Sequence, residues 1–143
     1  AAELPRHIAH EQRGLKLVET ICTRLRAPTR FRELALAVCR SHLLCHTALQ
    51  LRGATLLKLL HSTDALRRPE RFEAFLLACE ADARGRLGRE DRPYPQADYL
   101  RRALATAQAV SAAEFAGEQL DGKQLGEAIS RERTRRLEAL RPD

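Results

Sequence analysis

Methionine and tryptophan are absent from these 143 residues, and aromatic side chains are few, with two Tyr and four Phe. Val and Ile occur only three times each. β-Branched and aromatic residues are the ones that fit a pleated, half-buried surface, so their scarcity excludes a β-sandwich, a barrel and a Rossmann-type sheet. No apolar run approaches the ~20 residues that cross a bilayer, so no membrane partner is expected. No basic segment leads into an apolar stretch, so no secretory signal is read. Cys22, Cys39, Cys45 and Cys79 form no CxxC pair. That spacing fits separate thiols in a reducing cytoplasm better than a zinc ribbon or a disulfide frame. A P-loop, GxGxxG, HExxH and an ordered Ser-His-Asp set are also missing.

What fills the chain is 24 Leu and 23 Ala, both strong helix formers. The expected fold is all-α, a single compact array of about six to seven helices. A composition 31% charged and 44% hydrophobic is that of a folded domain rather than a disordered tail. The chain opens Ala1-Ala2-Glu3 without an initiator methionine, which reads as a piece of something longer or as a processed N-terminus.

Apolar spacing predicts a first helix from about His10 to Leu25, with Val18, Ile21, Cys22 and Leu25 on one face. Pro28 ends it, and Thr29 is placed to cap a second helix with an inner stripe of Phe31, Leu34, Ala35, Val38, His42, Cys45 and His46. Gly53 precedes a third helix carrying Leu56, Leu57, Leu60 and Asp64. Pro69 opens a fourth with Phe72, Phe75, Leu76, Cys79 and Asp82, and Pro95 a fifth with Tyr99, Ala103, Leu104, Ala107 and Val110. Residues 85–95 form a loop. Ser111 with Glu114 is a capping-box pair, and a last helix covers roughly Lys123 to Leu140.

The net charge is +6, and 22 of the 25 basic residues are Arg. The excess lies around Arg24, Arg26, Arg30 and Arg32 and around Arg84–Arg102. Arginine forks bind phosphate bidentately, so both stretches point to a nucleic-acid partner or, equally, to a solvated surface. His42 and His46, one helical turn apart, form half of a metal site at most. Asp64 and Asp82 fall on the apolar stripes of their helices. Buried there, each needs an arginine, or else a metal or catalytic role. His7 and His10 could join His42 on a carboxylate to bind a transition metal. Gly122 and Gly126 lead into the last helix, where amides hold a phosphate or the glycines cap and pack.

Four stretches, in order, resemble one family. They are Pro5 to Glu19; Ala54 to Leu60 with Asp64-Ala65; Glu80-Ala81-Asp82-Ala83-Arg84-Gly85-Arg86-Leu87-Gly88; and Tyr94-Pro95-Gln96 with Tyr99-Leu100-Arg101. The family is the bacterial CCA-adding enzymes, the multifunctional tRNA nucleotidyltransferases. The resemblance implies the C-terminal helical half of an enzyme that adds CCA to tRNA 3′ ends from CTP and ATP, with magnesium held in an N-terminal head. No motif of that head is present in this chain.

The same resemblance implies that residues 1–90 are the remnant of an HD phosphohydrolase domain and 91–143 are tRNA-binding helices. A metal such as nickel would be held by His10, His42 and Asp82, with His7, His46 and Asp64 as the second set. Arg24, Arg26, Arg30, Arg32, Arg84, Arg86 and Arg89 would meet tRNA phosphates. The chain departs from the family in having no His-Asp dipeptide, and in having Leu43 where the family has Asp. The expectation is an incomplete metal site and a chain inactive by itself. Two other readings stay open: a helical scaffold for a protein partner, which an oligomer would also suit, and a DNA-binding clamp at Gly122–Gly126.

Overall fold

A computed structural model describes the backbone of residues 10–85 and 87–142, and within that range the side chains from residue 14 onward. Six α-helices follow in order: α1 (His10–Arg24), α2 (Thr29–His46), α3 (Gly53–Ser62), α4 (Pro69–Arg84), α5 (Pro95–Gln108) and α6 (Gly122–Ala139). Short 3-10 turns occupy Ala48–Gln50 and Ala112–Phe115, and no strand occurs among the described residues. The all-α expectation holds.

The helix ends follow local chemistry. Pro69 and Pro95 sit in the first turns of α4 and α5, where a missing N–H costs nothing. Ser111 N donates to Glu114 Oε1 at 3.1 Å, as the capping-box reading requires. Thr29 does not cap α2; Pro28 holds the cap position in an extended conformation, with no side-chain hydrogen bond. Arg26 takes a left-handed turn (φ 49°) between α1 and α2.

Leu56, Leu59 and Leu60 of α3, Phe72, Phe75, Leu76 and Cys79 of α4, Tyr99 and Leu100 of α5 and Leu137 of α6 are essentially sealed from water. Each large side chain of this kind contributes roughly 1.5–3 kcal/mol by burial. α6 packs along α3, tying the chain's last helix to its middle. The stripe on α2 is in part the expected one, with Cys45 buried and Leu34 and Val38 against the core. Ala37, Ser41 and Cys45 face the core, while Phe31 is half exposed. Small residues on that face let the neighbouring helices approach closely. α2 and α4 run side by side in the same direction, since Glu33 pairs with Arg71 near their starts and His46 with Asp82 near their ends.

Candidate functional site

The C-terminal ends of α2 and α4 bring His46 and Asp82 together, 36 positions apart in sequence. His46 Nε2 lies 2.9 Å from Asp82 Oδ2 and His46 Nδ1 lies 2.9 Å from the Tyr94 hydroxyl. A carboxylate only accepts, so Nε2 carries the hydrogen and donates to Asp82. In the neutral ring the Tyr94 hydroxyl then donates to Nδ1. In the charged ring Nδ1–H donates to the Tyr94 oxygen, and the hydroxyl turns to Cys45 Sγ, 3.4 Å away. Burial, followed by the hydrogen bond to Cys45, pushes the Tyr94 hydroxyl above its ordinary pKa. Cys45 and Cys79, both buried, share a hydrogen bond; that bond and burial push the Cys79 thiol up.

Both aspartates depart from the expected placement. Asp82 is on α4, but its side chain is 53% exposed and it accepts from His46 rather than lying in the core. Asp64 is not on α3 at all. It adopts a left-handed backbone (φ 55°) just past the helix end, a conformation that Asp tolerates better than most residues. That geometry swings its carboxylate outward to Arg67 and Arg68, at 3.7 and 3.5 Å. The arginine-pair alternative for Asp64 is the one the structure supplies.

His42 donates from Nδ1 to the Val38 carbonyl at 3.0 Å and stands edge-on to His46. His42 and Asp82 line the same groove, whereas His46 shares a second hollow with Asp82. Among the described residues no group of three or more His, Cys, Asp or Glu side chains is arranged to hold a metal ion. Both nitrogens of His46 are engaged, by Tyr94 and by Asp82. His7 and the side chain of His10 lie outside the described residues.

The hollow of about 270 Å³ beside His46 and Asp82 is lined also by Arg84, Arg89, Arg92 and Gln96. Arg84 anchors its wall by donating from Nε to the Arg92 carbonyl at 3.1 Å and pairing with Glu80 at 3.0 Å. Of the expected phosphate contacts, Arg84 and Arg89 therefore converge here, and Arg86 falls outside the described residues. Arg24, Arg26, Arg30 and Arg32 are exposed at the α1–α2 turn, with Arg30 stacked 4.7 Å over Phe31. The two groups sit at opposite ends of α2, about 24 Å apart by the helical rise from Arg30 to His46.

A third basic surface was not signalled by counting charge along the chain. An open trough of about 930 Å³ between α3 and α6 is lined by Arg52, Arg131, Arg135 and Arg141, with Ser130 and Thr134. Arg135 and Arg141 pair with Glu132 and Glu138, three residues away on the same helix turn, which is why the segment reads as nearly neutral. At the start of α6 the capping is done by a side chain. Asp121 Oδ1 accepts from Gln124 N at 2.8 Å, and Gln124 Oε1 accepts from Asp121 N at 2.9 Å. The cap is Asp121, not a glycine. Gly122 and Gly126 face open space, so packing does not explain them.

Proteins named multifunctional CCA protein are similar to this chain along nearly all of it. That of Alkalilimnicola ehrlichii is 58% identical over 139 residues, covering 97% of this chain and 34% of the relative. That of Thioalkalivibrio sulfidiphilus is 54% identical over 140 residues, covering 98% and 34%. That of Acinetobacter baumannii is 52% identical over 129 residues, covering 90% and 31%. The chain spans about a third of the length of the curated relatives it matches. No family model matches it, and no solved structure does.

Proposed function

This chain is homologous over nearly its whole length to about a third of the multifunctional CCA proteins, and from that premise we propose that it is the tRNA-holding, C-terminal helical part of a CCA-adding tRNA nucleotidyltransferase. On this reading the complete enzyme adds CCA to tRNA 3′ ends from CTP and ATP in the cytoplasm. Magnesium and the nucleotidyl-transfer groups belong to regions of the relatives outside the matched third. The part described here supplies position rather than chemistry.

The observation that carries the reading is the convergence of Arg84, Arg89 and Arg92 on one hollow. Guanidinium groups gathered in a concave, partly screened surface bind phosphate more strongly than the same groups spread over a flat one. Arg24, Arg26, Arg30 and Arg32 at the far end of α2 extend the contact along an RNA backbone. His42, Asp82 and the groove between them are what this part retains of a phosphohydrolase site. With His46 locked to Asp82 and Tyr94, the chain alone neither hydrolyses phosphoesters efficiently nor adds nucleotides.

Equilibrium binding of tRNA across a salt series, with a length-matched DNA duplex alongside, tests the proposal. The expected result is preferential tRNA binding whose log affinity falls linearly with log salt, since contacts to phosphate release counterions. Absence of tRNA binding at low salt would overturn it. A protein-scaffold role is favoured by one feature, the exposed apolar stripe of Leu17, Ile21 and Leu25, at 62%, 48% and 68% exposure. That role predicts no nucleic-acid binding in the same titration.

A further inference from the structure

Two hollows between α2 and α4, of about 570 and 440 Å³, join into one groove, because Phe31 and Leu34 line both. The floor is apolar, with Phe31, Leu34 and Val38 from α2 and Ala74 and Ala78 from α4. Phe31 is 52% exposed, and the Arg30 guanidinium lies 4.7 Å over its ring at the groove's mouth. Ala74 and Ala78, one turn apart, keep the α4 wall low, so the backbone of a further helix can approach closely. From Phe31 to His42 the groove runs about 16 Å by the helical rise, the length of about eleven helical residues.

The two ends of the groove differ in charge. At the starts of α2 and α4 stand Arg30, Arg68 and Arg71, against Glu33 and Glu70. Neither helix start has a side-chain cap, and α2 has no acid in its first turn. Because the two helices run in the same direction, their positive dipole ends add there. At the other end their negative dipole ends coincide with Asp82, whose side chain is 53% exposed. A helix laid antiparallel to both presents its own negative end to the arginines, and acidic residues there complete the match. The other occupants fit less well. RNA finds no cation along the apolar floor and meets Asp82 at its end. The exposed stripe on α1 of a second copy, Leu17, Ile21 and Leu25, ends in Arg24 and Arg26 and would set base against base.

We propose that this groove docks a short amphipathic helix of a partner protein, antiparallel to α2 and α4. Its apolar face would lie on Phe31, Leu34 and Val38, and acidic residues at its C-terminal end would meet Arg30 and Arg68. Docking of this kind is the helix-in-groove mode, in which apolar anchors give affinity and flanking charge gives direction. It stands or falls independently of tRNA binding at Arg89 and Arg92.

Fluorescence anisotropy of the whole chain with labelled helical peptides tests this directly. The probe is a peptide of about fourteen residues, with leucine and alanine along one face and two glutamates at its C-terminal end. A second peptide carries the glutamates at its N-terminal end, and a third has the same composition scrambled. The first is expected to bind about fivefold more tightly than the second, the size of a charge–dipole preference, and at least about tenfold more tightly than the third. Arg30→Glu should abolish or reverse the preference between the first two. Phe31→Ser should weaken the first peptide about tenfold while leaving the helical circular-dichroism spectrum and tRNA affinity unchanged. Arg131→Glu, on the trough between α3 and α6, should leave peptide binding as it is. No binding of any peptide, equal binding of ordered and scrambled peptides, or a preference indifferent to Arg30→Glu would each overturn the docking site. So would a dimer in sedimentation that Phe31→Ser abolishes, which gives the groove to a second copy. A fall in tRNA affinity on Phe31→Ser would give it to RNA and overturn the proposal equally.

Discussion

Gly53 and Glu138, 85 positions apart, join the start of α3 to the end of α6: the Gly53 amide donates to the Glu138 carboxylate. The approach is so close that a β-carbon on Gly53 would lie 2.5 Å from the Thr134 carbonyl oxygen and 2.7 Å from the Glu138 nitrogen. Both are backbone atoms of a helix and cannot rotate away. Gly53→Ala should therefore push the two helices apart and cost about 2–3 kcal/mol, the range of overpacked cores. The expected fall in thermal midpoint is roughly 6–10 °C. An unchanged midpoint would show that α6 does not press on α3 as described.

Acid sensitivity should trace in part to Glu73. Its carboxylate accepts from Arg101 Nε at 3.0 Å, and that hydrogen bond holds its pKa below the ordinary value. A carboxyl depressed on folding adds stability above its unfolded pKa and loses it as pH falls through the folded one. The pair is nearly half exposed, so screening limits the contribution to below about 1 kcal/mol. Glu73→Gln should lower the urea midpoint at pH 7 and converge with the parent protein under acid conditions. A gap that persists or widens in acid would contradict the sign.

The proline-started helices and the apolar faces of α4 and α5 were legible in sequence because each depends on residues within a turn or two of one another. Phe72, Phe75, Leu76 and Cys79 are buried as their spacing demands. On α2, Cys45 is buried and Leu34 and Val38 meet the core as their spacing demands, whereas Ala37 and Ser41 are buried beside them because their small size answers to neighbouring helices rather than to hydrophobicity. Asp64 continued a helical stripe on paper, but the left-handed residue that ends α3 is Asp64 itself. The His46–Asp82–Tyr94 cluster and the Gly53–Glu138 contact join residues 36 to 85 positions apart, which no local pattern encodes. The arginine trough was hidden because each acid that balances it sits three residues away and cancels it in a segment count.

The cysteines divide into two pairs by access. Cys45 and Cys79 are sealed in the core, and Cys79 is also held in its thiol form by burial and its hydrogen bond to Cys45. With both sulfurs out of reach of a reagent, neither should be modified while the protein is folded. Titration with an aromatic disulfide reagent should therefore leave these two thiols untouched in native buffer and expose them in denaturant. Prompt native modification of Cys45 or Cys79 would mean that the α2–α4 contact opens readily.

The salt dependence of tRNA binding should change by a countable amount when the basic surfaces are altered one at a time. Each arginine on a phosphate contributes a slope of roughly 0.7–0.9 in log affinity against log salt. Arg89→Gln with Arg92→Gln should thus reduce the slope by about 1.4–1.8, and Arg24→Gln with Arg30→Gln should do the same if the RNA reaches the far end of α2. The trough provides the internal comparison, through Arg52→Gln with Arg131→Gln. A slope that falls for the hollow and not for the trough places the RNA along the α2–α4 side. The reverse places it along α3 and α6, where Arg135 and Arg141 are already neutralised by Glu132 and Glu138. Because those acids compete with phosphate, the α2–α4 result is the one expected.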